Sequence, residues 1–157
     1  MISNSSPLIC LARLNKIEFL KKLFGKIIIP EDVKREVLVE GKEGYAIISR
    51  AIKDKWIVIE NPKNNINLGL GSGENAAINL AREKKDKLII DDAFAIKAVK
   101  SLSVEYLRTT TIILLSLKNK IIDKKTAKIL IHKLIENGYY ISPRVFSKLI
   151  EIIDLFN

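Results

Sequence analysis

Among 157 residues there is one cysteine, one histidine and no long hydrophobic run. With Cys10 alone, no internal disulfide can form. It sits among Pro7, Leu8, Ile9 and Leu11, where it reads as a small buried hydrophobe. A catalytic thiol wants a basic neighbour, and His132 lies far away in sequence. No stretch approaches the roughly 20 apolar residues of a membrane span. The most apolar segment, "TIILLSL", is short and runs at once into "KNK". The opening "MISNSSPLICLARL" lacks the basic lead and small-residue cleavage site of a signal peptide. A cytoplasmic protein without membrane attachment is expected.

Acid is the scarcer charge. Lys and Arg number 27 against 18 Asp and Glu, a net of +9. The excess is uneven, with 16 basic and 13 acidic residues up to Asp92 but 11 and 5 from Ala93 onward. A basic surface attracts polyanions, nucleic acid first among them. The 48% hydrophobic and 29% charged content is that of a globular chain. The length suits one domain, residues 1–157.

Punctuation divides the chain into alternating elements. "MIS" reads as a first strand, and "SSPLICLARLN" as a helix with Ser at its start and Pro in its first turn. "KIEFLKKLF" places Ile17, Leu20 and Phe24 on one helical face, ended by Gly25. "KIII" is a short strand stopped by Pro30. "PEDVKREVLVE" and "EGYAIISRAIKDK" are helices, and "WIVIE" is a strand that starts at a core Trp56. After the polar loop "NPKNNINLGLGSG" come the helix "GENAAINLAREKK", the strand "DKLIID", the helix "DAFAIKAVKSL" and the edge strand "SVEYLRT". Three further helices close the chain. The alternation predicts an α/β fold, a parallel sheet with helices on both faces and a helical C-terminal extension over about 109–157.

In such a sheet the functional edge is the C-terminal end of the strands. Asn4 follows the first strand, and Asp91 and Asp92 end the "KLII" strand. Glu74 precedes Ala77, Ile78 and Ala81 at helical spacing, which puts a carboxylate on a core-facing stripe. Inward carboxylates are costly unless paired, hydrogen-bonded or metal-bound. Glu36 borders the stripe of Val33 and Val37, whereas Asp32 and Glu40 read as a solvated face. Either Asp could simply cap the next helix. Taken together, the acids suggest a pocket of hard oxygen ligands without His or Cys, which suits Mg²⁺ or Mn²⁺. In a basic protein, metal ions could join such a pocket to a phosphate chain.

These residues resemble a known family, along nearly the whole chain. "SNSSPLI" resembles the opening D-x-S-x-L-I of PIN domains, and "IIIPEDVKREV" their P-x-x-V-x-x-E helix. "GLGSGENAAINLA" with "LIIDDAFAIKAV" is similar to the subfamily whose third acid is a Glu in G-x-G-E-x-x-A-I. "TTTIILLSLKNK" and "LIENGYYISPRVF" resemble that subfamily's C-terminal extension. The resemblance implies a Rossmann-like α/β/α fold and Mg²⁺- or Mn²⁺-dependent endoribonuclease chemistry. It also implies RNA as substrate, a homodimer, and an antitoxin partner if the chain is the toxin of a VapBC-type toxin–antitoxin pair.

Carried over, Asn4 stands where the first acid belongs, Glu36 is the second, Glu74 the third and Asp91 the fourth, with Asp92 the alternative for that place. Catalysis would fall to Glu36, Glu74 and Asp91, and metal binding to these with Asn4 and Asp92. Ser6 and Thr110 match supporting hydroxyl residues. Asn4 offers a neutral carbonyl where the family usually has a charge, so metal affinity should fall. A module that binds nucleic acid or a partner protein without cleavage is therefore the alternative.

Other readings are weaker. "GLGSG" lacks the GK[ST] of a P-loop. A phosphate-accepting receiver domain would need a Lys and a hydroxyl at later strand ends, and Thr109 or Thr110 supplies only the latter. His132, alone in "AKILIHKLIEN", reads as packed or exposed. Tyr139 and Tyr140 could stack on bases, but core or interface is expected. "LIEIIDLF" offers a dimer interface or a closing core helix.

Overall fold

A computed structural model describes residues 1–156. Five short strands form one sheet: β1 (Ile2–Ser3), β2 (Ile27–Ile29), β3 (Ile57–Ile59), β4 (Leu88–Ile89) and β5 (Tyr106–Leu107). All their pairings are parallel, in the order β3-β2-β1-β4-β5. The register aligns Ile2 with Ile28 and Leu88, Ile27 with Ile57, and Ile89 with Leu107. These strands are aliphatic runs rather than alternating patterns because both faces of the sheet are covered. Ile2, Ile27, Ile29, Leu88 and Ile89 are fully buried.

Helices α1 (Ser5–Arg13) and α2 (Glu18–Phe24) join β1 to β2, and α3 (Glu31–Val37) with α4 (Tyr45–Lys53) joins β2 to β3. Helix α5 (Ser72–Lys84) leads to β4 and α6 (Ala93–Ser101) to β5. The first two crossovers step one way along the sheet and the next two return the other way. The reversal of direction falls between β1 and β4. The predicted α/β architecture is the one observed.

The expected helix "PEDVKREVLVE" is shorter than its pattern. The chain leaves helical geometry at Leu38 and turns through Gly41 and Gly44, both at positive φ. Helix α5 is buried on almost every side, from Gly73 through Ala81. It packs on α3, β1 and β4. Its inward stripe is therefore not a stripe but most of its circumference.

The C-terminal extension is α7 (Thr109–Lys118), α8 (Lys124–Glu136) and α9 (Pro143–Leu155). They stack in series, α7 on α2, α8 on α7 and α9 on α8. The last two begin with caps: Asp123 and Ser142 accept from the N–H groups of Thr126 and Val145, and Pro143 occupies the first turn of α9.

Candidate functional site

The strand order reverses between β1 and β4, and such a switch point opens a crevice at the carboxyl ends of the strands. Asn4 leaves β1 there, its N–H donating to Ile89 O of β4 at 2.9 Å. By position Asn4 is the N-cap of α1, yet its side chain makes no capping bond. It is 1% exposed, and its Oδ1 has no hydrogen-bond partner. An unpaired buried carbonyl costs about 1–3 kcal/mol. Asparagine is among the best N-caps, so forgoing the cap to leave Oδ1 unpaired is unfavourable for folding alone.

Asp91 and Asp92 leave β4 into different surroundings. Asp91 is 9% exposed. Its Oδ1 accepts from the Thr109 N–H at 2.9 Å and from the Tyr139 hydroxyl at 2.6 Å, and its Oδ2 accepts from Thr109 Oγ1 at 2.6 Å. Arg108 donates through Nη2 to the Asp91 carbonyl at 3.1 Å, and its guanidinium lies over the Tyr139 ring. Burial, together with the Asp91 charge, pushes the Tyr139 hydroxyl well above the usual phenol range. The tyrosine thus stays a donor. Asp92 is exposed and caps α6, its Oδ1 accepting from the Ala95 N–H at 2.7 Å.

Glu36 and Glu74 meet at the start of α5. The Gly73 N–H donates to Glu36 Oε1 at 3.2 Å, and the Gly71 N–H donates to Glu74 Oε2 at 3.2 Å. The second contact is the Glu74 half of a capping box, and both place carboxylates at the positive end of the helix dipole. Gly73 leaves the space that the Glu36 carboxylate fills. A Cβ at this position would collide with the carboxylate of Glu36. The Glu74 carboxyl is held above its ordinary range, first by burial and then by the negative charges of Asp92 and Glu36, against the pull of the Gly71 N–H. Glu36, Glu74 and Asp92 therefore share one field.

The loop before α5 is strapped down. Asn75 Nδ2 donates to Asn65 Oδ1 at 2.9 Å and to Ile66 O at 2.8 Å, and Asn79 Nδ2 donates to Ile66 O at 2.7 Å. Asn75 Oδ1 accepts from the Leu68 N–H at 2.6 Å. "GLGSG" is thus the fixed entry to α5.

Of the residues singled out in the sequence, Glu36 and Glu74 meet at the start of α5, the charge of Asp92 reaches Glu74, and Asn4 lies at the switch point. Asp91 lies in its own ring of donors. Ser6 is exposed in the first turn of α1, and Thr110 is buried in the first turn of α7. Thr109, not Thr110, holds Asp91. Thr109 was foreseeable: Ile89 is level with Leu107, so two residues on, Asp91 is level with Thr109. Arg108 adjoins it. Tyr139 reaches Asp91 across 48 residues and has no local signal as a partner.

Among the described residues, no three His, Cys, Asp or Glu side chains stand close enough to hold a metal ion as they are placed. The donor chemistry nonetheless fits a hard cation. It comprises the orphaned Asn4 Oδ1, the Asp92 oxygen not used for capping, and the Glu36 and Glu74 carboxylates.

Among the described residues, no helix is long and apolar enough to cross a membrane. No curated protein sequence matches the chain. Among solved structures it is similar to a PilT N-terminus domain protein from the hyperthermophilic archaeon Sulfolobus solfataricus P2. The two share 22% identity over 74% of this chain and 94% of that one, with a TM-score of 0.52, a likeness of fold. A family profile described as DUF3368, a PIN domain, matches residues 1–154. With that match running almost end to end, the chain belongs to the PIN domain family.

Proposed function

We propose that this protein is a divalent-cation-dependent endoribonuclease built as one domain, working in the cytoplasm as a homodimer and serving as the toxin of a toxin–antitoxin pair. The observation that carries the nuclease reading is the acidic trio of Glu36, Glu74 and Asp92 at the switch-point edge of a chain with net charge +9. Acids crowded against one another in a basic protein suit a task in which cations link them to phosphate.

Glu36, Glu74 and Asp92 would hold Mg²⁺ or Mn²⁺, with Asn4 Oδ1 as a neutral ligand. The cation supplies an activated water and stabilises the leaving oxygen of the phosphodiester. Of the two adjacent aspartates, Asp92 suits the ligand role better, because both Asp91 oxygens already accept short bonds. Asp91 instead fixes the start of α7 and the Tyr139 turn beside the site. Ser6 and Thr110 supply hydroxyls at two neighbouring helix starts. The basic surface draws the RNA in, which makes binding salt-sensitive.

A second reading rests on Asn4. With a neutral side chain at the switch point, the protein would bind RNA or a partner without cutting. The deciding experiment is RNA cleavage with Mg²⁺ or Mn²⁺ by the native chain, Glu74→Gln and Asp92→Asn. Each substitution is expected to lower the rate by about a hundredfold or more. Cleavage untouched by both rejects this site. Salt-sensitive RNA binding without any cleavage selects the second reading.

A further inference from the structure

Beside Asp92 lies a concavity of about 170 Å³ that the acidic trio does not use. Its walls include Ala93, Arg108, Thr110, Tyr139, Tyr140 and Val145. Pockets for drug-sized molecules run to roughly 300–1,000 Å³, so this one suits a single flat ring. Tyr140 is 81% exposed and Val145 46%. Phe94, next to Ala93, is 66% exposed.

We infer that this concavity is a stacking subsite for one unpaired base of a single-stranded RNA whose backbone passes the acidic edge, with Tyr140 as the stacking face and Arg108 as the charged wall. The inference rests on the RNA-directed reading above and deepens it. Two features select a nucleotide rather than an apolar peptide. Arg108 is the charged side chain among the lining residues, and its Nε is buried without a hydrogen-bond partner, 4.0 Å from Asp91 Oδ1. A guanidinium held over the Tyr139 ring presents a flat cation beside flat aromatics, the combination that binds single strands through stacking and phosphate contacts. The subsite is also continuous with the proposed cleavage edge, because Ala93 directly follows Asp92. Stacking of this kind tolerates any base but requires the strand to be unpaired.

The test uses the full chain and a short single-stranded RNA carrying one 2-aminopurine, in a Glu74→Gln background with Mg²⁺ so that the strand stays intact. Tyr140→Ala is expected to weaken binding by about five- to a hundredfold and to remove the quenching of 2-aminopurine that stacking produces. Tyr140→Phe keeps both, and binding of fully paired RNA is unchanged. Equal RNA affinity and equal quenching in Tyr140→Ala overturn the subsite. A changed oligomeric state at unchanged RNA affinity overturns it in favour of a second copy of this chain on the same face. RNA cleavage by chains with Glu74 intact separates the two ideas. Quenching lost with Tyr140→Ala in a protein that never cleaves keeps the subsite and removes the nuclease. Cleavage with no Tyr140 effect does the reverse.

Discussion

On one side of the β4 exit, Asp91 receives two bonds from Thr109 and one from Tyr139, and its charge is enclosed by donors. On the other side, the charges of Asp92 and Glu36 add to the cost of ionising Glu74. The two aspartates are neighbours in the chain and share a strand end. One is satisfied by the fold itself, and the other belongs to a group that the fold leaves mutually repelled. Repulsion kept beside a well-bonded aspartate suits a place where an outside partner contributes the missing energy. Satisfied polar networks, by contrast, hold elements in register.

The contrast breaks most readily through Asp91. Asp91→Ala leaves three donors buried without an acceptor and is expected to cost about 3–5 kcal/mol, the scale for breaking a buried charged pair. Asp92→Ala loses a helix cap worth about 1 kcal/mol. Urea unfolding of the two variants checks this, and equal losses would erase the distinction. Asn4→Asp comes next. A charge in that buried, unpaired position should lower stability in EDTA by roughly 2–3 kcal/mol. Mn²⁺ should return much of it, because a ligand that binds only the folded state stabilises it. If thermal unfolding shows neither the loss nor the rescue, Asn4 does not face the acidic side.

Gly73→Ala sharpens the acidic half. Its Cβ pushes the Glu36 carboxylate, the far end of a flexible side chain, off the α5 terminus, and the stabilisation by Mn²⁺ should shrink with it. Retained cation-dependent stabilisation would show that Glu36 is not part of the cation set. The smallest effect concerns pH. Glu74 has a raised carboxyl in the fold, so the fold favours its protonated form. Its contribution to stability is present below its unfolded value and lost as pH rises through the raised one. In EDTA, Glu74→Gln should therefore gain on the native chain between acid and neutral pH and show no gain at acid pH. Gln retains the carbonyl that accepts from Gly71. A gain that does not vary with pH would assign the effect to packing.

Strands, helices and their order were legible because aliphatic runs, Pro30, Gly25 and the capping residues act locally. The length of α3 was not, because the turn through Gly41 and Gly44 overrides an apolar pattern that continues to Val39. Glu74 and Glu36 stood out as carboxylates beside apolar stripes. Their meeting depends on the packing of α3 against α5 across 37 residues, a tertiary fact. The choice between Asp91 and Asp92 could not be read at all. Side chains of successive residues diverge at a strand end, and no local signal tells which of them turns to Thr109. Tyr139 read as core or interface, since its partner lies on a different element.

Connecting loops usually absorb added or deleted residues at little cost, because they hang free over the surface. The segment between β3 and α5 has lost that tolerance where Asn75 and Asn79 grip Asn65 and Ile66. Changes of length are expected to be accepted only upstream of the grip, around Asn64, because Asn61 Oδ1 accepts from the Glu31 N–H and the Lys63 N–H donates to Glu83. Downstream of it, even one extra residue would shift the glycines that seat Glu36 and Glu74. A designer grafting a recognition loop onto this scaffold has a narrow window there, and its far border is set by two amide side chains.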